Sequence, residues 1–296
     1  MTNRRLWIAL VLLLCLVPSA GADGALTPAL DGILDAPALK GGITGAIVVR
    51  VSDGATLYAH NPDTRLLPAS NRKLFTTAAA LEGLGSDFTY TTQALAQAKP
   101  DAEGTLHGGL YLHGVGDSSL QTKDLDDLAA QVAQAGVRRV TGSLYADGSA
   151  FTDGPYGQGW EWDDLGDEEF PQIAGLEVND GDVAVRAVAG KAVGDSVAVT
   201  LDPRVAWPLV ANSARTGTAD AAKPPAINRP YDGAQILVTG VWPPGTVVKQ
   251  NIPVVDPPRY AAEVFLRALK AHGITVKGVV GRGAAPPGAS VLAAHT

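Results

Sequence analysis

Cysteine, aromatic residues and basic charge are all scarce in this 296-residue chain. It has a single Cys, 6% aromatic residues, and 23 basic against 30 acidic residues. Proteins that bind single-stranded nucleic acid or another polyanion offer stacking rings and a basic surface, so a net charge of -7 argues against such partners. The rest of the composition, with 46% apolar and 18% charged residues, is typical of a globular protein.

Residues 1–22 have the pattern of a secretory signal peptide. Two Arg residues precede an apolar stretch at 6–17, and residues 20–22 form an A-x-A cleavage site. The stretch is shorter than the ~20 residues of a membrane-spanning helix. Cleavage would remove Cys15, which excludes disulfides and thiolate chemistry, and would leave 21 basic and 30 acidic residues, a net charge of -9. We expect a periplasmic or otherwise extracytoplasmic protein without a membrane span.

A hairpin and a helix are predicted in residues 23–87. Residues 45–60 contain two β-prone runs separated by an Asp-Gly turn, which indicates a β-hairpin. Residues 71–82 predict a buried helix, because three apolar residues share one helical face. These residues are Leu74, Ala78 and Leu81.

Beyond residue 88 short strand-like segments alternate with Gly, Asp and Pro clusters. The strand-like segments include residues 110–113, 139–141 and 183–188. Amphipathic helices are predicted at 125–135 and 261–271, each followed by Gly. We therefore expect a mixed α/β (α+β) fold, with one or two strand-rich modules in residues 88–296.

The candidate catalytic residues are Ser70 and Lys73. Positions i and i+3 lie on one face of a helix, so a Lys amine could take the proton of the Ser hydroxyl if burial disfavours the charged amine. At a helix start, free N–H groups and the helix dipole would also favour the negative charge of an acyl-transfer intermediate. The alternative is that Ser70 is only a helix N-cap and Lys73 a solvated surface residue.

The sequence around this pair resembles the serine penicillin-binding proteins, whose first motif is S-x-x-K. It is most similar to the D-alanyl-D-alanine carboxypeptidases of the class C group, which carry a large insertion after that motif. The resemblance extends over residues 26–287. The stretches that carry it are LPASNRKL at 67–74, GVGDSSL at 114–120, GVRRVTGSL at 136–144, GWEWDD at 159–164 and LKAHGITV at 269–276.

The resemblance implies a fold, but the sequence departs from the family pattern at two motifs. Residues 23–87 would be the N-terminal part of a penicillin-binding/β-lactamase-like peptidase domain, and 88–296 its insertion. The family's second and third motifs, S-x-N and K-[ST]-G, are absent from the sequence. The nearest match, Arg-Thr-Gly at 215–217, lies within the presumed insertion and is interpreted as a loop. We therefore expect a chain truncated at its C-terminus, with little activity by itself.

By resemblance, the substrates would be peptidoglycan stem peptides ending in D-Ala-D-Ala. Ser70 would form an acyl-enzyme with Lys73 as base, β-lactams would trap the same Ser, and no metal or organic cofactor is implied. Carboxypeptidase and endopeptidase activity both remain open. The alternatives are a β-lactamase and a non-catalytic, degenerate envelope protein.

Three weaker candidates have ordinary structural explanations. Asp117 belongs to a Gly-Asp-Ser triplet like that of GDS-type esterases, but it is expected to be a turn or cap residue. His107 and His113 could share a strand face, yet two His residues without a third ligand make a weak metal site. The acidic run at 163–169 lacks the EF-hand pattern and is expected to be a solvated loop.

Overall fold

A computed structural model of the chain describes residues 23–218 and 224–296. The signal-peptide prediction for residues 1–22 lies outside this part. The chain divides into two compact units, one ending at Asp87 and the other comprising Phe88–Thr296. Both helices and strands are present, so the predicted mixed α/β fold class is confirmed. In the described segments, no helix is both long and apolar enough to cross a bilayer.

Among its described residues, the first unit contains two α-helices and one hairpin. They are α1 (Asp23–Leu34), β1 (Ala46–Val49), β2 (Thr56–His60) and α2 (Arg72–Leu84). The strands pair antiparallel, as the hairpin prediction requires. The helix α1 was not predicted, because Pro28 and Gly32 interrupt its pattern. Buried Tyr58 on β2 donates a 2.6 Å hydrogen bond to Asp31 on α1, which raises the pKa of Tyr58 to about 12.

The prediction of a buried helix at 71–82 is right about the helix and wrong about its burial. No residue of α2 is buried, and Leu74 and Leu81 are 69% and 61% exposed. The apolar stripe is present, but the described elements of the first unit do not cover it. Periodicity indicates which face of a helix is apolar, whereas burial depends on what packs against that face.

A five-stranded mixed sheet and two helices form the centre of the second unit. The elements are β3 (Thr92–Ala96), β5 (Leu110–His113), β7 (Leu144–Asp147), β17 (Val280–Arg282), β18 (Ser290–His295), α3 (Thr122–Gln134) and α4 (Pro257–Ala271). The strand order is β17-β7-β5-β3-β18, with β17, β7 and β5 parallel and the other pairs antiparallel. The helices pack against this sheet and against each other.

Both helices predicted in this unit are confirmed, and both begin a few residues earlier than expected. A capping box between Gln121 and Asp124 starts α3. In α4, the side chain of Asp256 accepts a hydrogen bond from the Arg259 N–H, and Pro257 occupies the first helical position. Because first-turn residues are polar or Pro, the apolar periodicity begins only after them. Most apolar residues of both helices are buried.

Smaller sheets complete the second unit. The strands are β4 (Thr105–Leu106), β6 (Arg139–Val140), β8 (Asp182–Val188), β9 (Ala198–Asp202), β10 (Val210–Asn212), β11 (Arg215–Thr216), β12 (Ala226–Asn228), β13 (Ile236–Thr239), β14 (Val241–Trp242), β15 (Val247–Pro253) and β16 (Thr275–Val276). The strand orders in these sheets are β15-β8-β9, β10-β13-β12, β11-β14 and β16-β6-β4. The strand predictions at 110–113, 139–141 and 183–188 are confirmed to within one residue.

A buried arginine joins three separate segments of the second unit. Arg229 follows β12 and is 4% exposed. Its guanidinium donates only to backbone carbonyls: to Pro253 at 2.8 Å, Pro230 at 3.0 Å, Gly233 at 3.1 Å, and Leu165. Burial lowers the pKa of this guanidinium. Since no carboxylate of the described residues pairs with Arg229, its partners are peptide dipoles alone.

Candidate functional site

Ser70 lies in a single 3-10 turn, Ala69–Asn71, that leads directly into α2. The backbone N–H of Asn71 donates to the Pro68 carbonyl at 2.9 Å, which closes the turn. Ser70 is therefore presented at the N-terminal end of a helix, as the sequence predicted. Asn71 occupies the N-cap position without a side-chain capping bond, so no side chain caps the first turn of α2.

The structure brings Ser70 and Lys73 together. The side-chain nitrogen Nζ of Lys73 lies 3.5 Å from Ser70 Oγ. The alternative interpretation of Ser70 as the N-cap is wrong, because Asn71 holds that position. The same alternative interprets Lys73 as a solvated surface residue. That part agrees with the structure, since the side chains of Ser70 and Lys73 are both exposed. The described residues thus provide the predicted proximity but not the predicted burial of the amine.

Backbone geometry immediately before Ser70 is strained. Ala69 has φ = 44°, in the left-handed region that disfavours residues with a Cβ by roughly 1–2 kcal/mol. Such outliers collect at functional sites, where a turn must aim a side chain in a particular direction. The strain at Ala69 is consistent with a turn whose role is to present Ser70.

The weaker candidates have structural roles. Asp117 Oδ1 accepts hydrogen bonds from the N–H and hydroxyl of Ser119, which confirms a turn role. His107 contacts Asp101 at 2.7 Å and His113 contacts Asp147 at 3.1 Å. Within residues 23–218 and 224–296, no group of three His, Cys, Asp or Glu residues could hold a metal ion.

Residues 215–217, the nearest match to the family's third motif, form part of a strand pair. Thr216 in β11 is buried, and its hydroxyl accepts a 2.8 Å hydrogen bond from the Gly190 N–H. The N–H of Gly217 donates to the Trp242 carbonyl at 2.9 Å. The loop interpretation is therefore corrected to a paired strand, and these contacts give the Thr a structural role.

Two acidic residues with unusual environments were missed by sequence reasoning. Burial raises the pKa of Glu177 to about 7, and the negative charges of Asp180 and Asp117 contribute smaller increases. Burial also raises the pKa of Asp182 to about 7, with smaller increases from the negative charges of Glu168, Asp180 and Asp167. Asp182 begins β8, is 9% exposed, and its Oδ1 has no hydrogen-bond partner among the described residues. The sequence shows only the acidic run at 163–169. Sequence reasoning could not find the cluster, because only folding brings that run close to Asp182.

We expect Asp182→Asn to stabilise the second unit at pH 8 and to have little effect at pH 4. An unfolded Asp has a pKa near 4, so the folded state must ionise Asp182 against burial and neighbouring charge as pH rises through about 7. Stability from this group is therefore present below pH 4 and lost by pH 8; a pKa raised from 3.8 to about 7 corresponds to a loss of about 4 kcal/mol. Urea unfolding followed by Trp fluorescence at both pH values measures the difference.

Asp153→Asn, an exposed substitution in the same unit, is the matched control. It removes the same charge without removing a buried carboxylate. A pH dependence of Asp182→Asn identical to that of the unchanged chain would contradict the prediction.

Comparison with known proteins identifies the family. The model of the D-Ala-D-Ala carboxypeptidase 3 (S13) family matches residues 26–296. This range is most of the chain, and the chain therefore belongs to that family.

Two similar curated proteins are D-Ala-D-Ala carboxypeptidases. The D-alanyl-D-alanine carboxypeptidase of Actinomadura sp. (strain R39) is 39% identical over 290 residues, which is 94% of this chain and 54% of the relative. The D-alanyl-D-alanine carboxypeptidase DacB of Haemophilus influenzae is 32% identical over 126 residues, 43% of this chain and 26% of the relative. The chain spans about half or less of the length of these relatives.

Solved structures of penicillin binding protein 4 (dacB) from Haemophilus influenzae have the same fold. One superposes with a TM-score of 0.72 at 25% identity, covering 85% of this chain and 55% of that one. A second, complexed with a novel β-lactam, has a TM-score of 0.63 at 23% identity, covering 86% and 55%. The arrangement of helices and strands described above is thus that of a known penicillin-binding protein.

Proposed function

We propose that this protein is an exported serine-type D-Ala-D-Ala peptidase of the class C penicillin-binding protein group, acting on peptidoglycan stem peptides. The observation that carries the proposal is the 3.5 Å contact between Ser70 Oγ and Lys73 Nζ at the start of α2, in a chain of the S13 family. In this proposal residues 23–87 are the N-terminal part of the peptidase domain, and 88–296 are its inserted, strand-rich modules.

The proposed reaction has two steps. Ser70 Oγ attacks the carbonyl carbon of the penultimate D-Ala while the uncharged Lys73 amine takes the hydroxyl proton. The carbonyl–nitrogen bond then breaks, the proton passes to the departing D-Ala amine, and an acyl-enzyme remains. Water hydrolyses that ester and restores Ser70. A β-lactam carbonyl would react at the first step and remain attached, which makes the proposed protein penicillin-binding.

The two residues present cannot supply every group that such a reaction uses. The 296 residues contain neither S-x-N nor K-[ST]-G. Loss of even one oxyanion donor typically lowers turnover by about 100- to 1,000-fold. We therefore expect these 296 residues by themselves to release D-Ala slowly or not at all, while retaining the nucleophile.

Labelling with a fluorescent penicillin tests the proposal directly. We expect one covalent adduct per chain, located by peptide mass spectrometry on the segment that contains Ser70. Prior denaturation should prevent the adduct, because the pair must be held together by α2.

The second candidate function is a non-catalytic, degenerate envelope protein, and the exposure of both side chains favours it. A chain that folds but takes up no penicillin at any residue would support this candidate. Rapid hydrolysis of the penicillin would instead indicate a β-lactamase.

A further inference from the structure

The outer face of the sheet β15-β8-β9 forms an open cavity in the second unit. Its volume is about 730 Å³, inside the range of about 300–1,000 Å³ of small-molecule sites. Its charged lining residues are Arg186, Arg204, Lys249, Glu168 and Asp202. Three cations against two carboxylates give this cavity a positive excess in a chain of net charge -7.

Two of the cations are placed next to each other by strand register. Lys249 on β15 lies directly opposite Arg186 on β8, and Arg186 lies opposite Thr200 on β9. Like charges directly opposite each other destabilise an antiparallel pair. Among the described residues, neither side chain forms an ion pair or a side-chain hydrogen bond. An anion bound between them would remove this repulsion.

An acidic residue lies beside this pair on the same face of the sheet. Asp202 is opposite Ala184, two residues before Arg186 on β8. Such diagonal neighbours are about 7–8 Å apart, yet Asp202 and Arg186 form no ion pair. The cavity therefore offers a cationic and an anionic subsite at once. Because the strand positions that carry these charges are about 7–8 Å apart, a short peptide, whose terminal charges are several bonds apart, can reach both subsites.

We infer that this cavity binds a short zwitterionic peptide, with its carboxylate on Arg186 and Lys249 and its ammonium group on Asp202. Arg holds a carboxylate through two parallel hydrogen bonds, and Lys adds a mobile point charge. The identification of this peptide as a peptidoglycan stem peptide rests on the proposed function. The binding chemistry does not, because every residue of the site belongs to Phe88–Thr296.

The test is a calorimetric titration of the full chain carrying Ser70→Ala, so that no acyl-enzyme forms. The probe is a synthetic pentapeptide that ends in D-Ala-D-Ala and contains a Lys with a free side-chain amine. We expect Arg186→Gln with Lys249→Gln to raise Kd at least tenfold. We also expect weaker binding, by at least fivefold relative to the unmodified peptide, when the C-terminus is amidated or when the Lys side-chain amine is acetylated.

The control is Arg139→Gln with Lys277→Gln, which removes the same charge from exposed positions of the same unit. Its Kd should equal that of the Ser70→Ala chain. Equal affinity in the cation-pair variant, or preference for glycerol phosphate polymer over the peptide, would overturn the inference. If the cation-pair variant fails to fold, Asp202→Asn supplies the test, since it should weaken binding of the free-amine peptide and not of the acetylated one.

Unrelated zwitterionic peptides distinguish the source of the ligand. Binding of the pentapeptide at least tenfold more tightly than a scrambled L-peptide of the same charge supports a wall peptide, and equal binding overturns that identification. Because the titrated chain lacks Ser70, a failure of penicillin labelling contradicts only the proposed function. Absence of peptide binding contradicts only this inference.

Discussion

Replacement of Ser70 with Ala is expected to lower the rate of covalent penicillin labelling by at least about 1,000-fold. The hydroxyl is the only group in the proposal that forms a bond to the β-lactam carbonyl, so no other side chain can replace it. The backbone of the 3-10 turn does not depend on that hydroxyl, and Ser70 is exposed, so folding should be unaffected. Gel fluorescence after timed exposure to the labelled penicillin measures the rate.

Lys73→Arg separates proton transfer from charge in the same assay. Arg is always positively charged in a protein and cannot give up its proton, so it cannot act as a base. We expect a loss of about 100-fold or more. Ser86→Ala and Lys99→Arg are matched controls at exposed positions and should label normally. Undiminished labelling of Ser70→Ala would refute the assignment of the nucleophile, and undiminished labelling of Lys73→Arg that of the base.

Replacement of Arg229 with Met is expected to destabilise the second unit by about 3 kcal/mol. Met fills a similar volume but leaves four carbonyl acceptors without their donor, and unsatisfied buried polar groups cost roughly 1–3 kcal/mol each. The gain from removing a buried charge offsets part of this loss. For a unit of this size, 3 kcal/mol corresponds to a decrease in Tm of roughly 6–12 °C.

Tryptophan fluorescence specifically reports the unfolding of the second unit. Of the five Trp residues, four lie in Phe88–Thr296, and the fifth is Trp7, within the predicted signal peptide. Arg229→Lys should be intermediate, because an ammonium cannot reach all four carbonyls with the geometry of a guanidinium. Arg267→Met, at an exposed position of α4, is the control and should change stability by less than about 0.5 kcal/mol. A stability for Arg229→Met equal to that of the control would contradict the structural role.

The helices were the most predictable part of the fold. In α3 the buried residues Leu125, Leu128 and Val132 follow the helical period in the sequence itself. The same holds for α4. Helix α1 escaped prediction, because its Pro and Gly contradict the local pattern while the Tyr58–Asp31 hydrogen bond helps to hold it. The proximity of Ser70 to Lys73 was predictable for the same local reason, since a separation of three residues on a helix determines it.

The sequence by itself determined the mixed α/β class, the two amphipathic helices and the close approach of Ser70 to Lys73, because each depends on residues within a few positions of one another. Only the tertiary structure decided which groups are buried and which charges meet. Lys249 faces Arg186 through strand pairing, Asp182 lies among acids from a separate loop, and Arg229 joins distant carbonyls. Such contacts depend on how segments far apart in the sequence pack together, and residue spacing along the chain does not predict that packing.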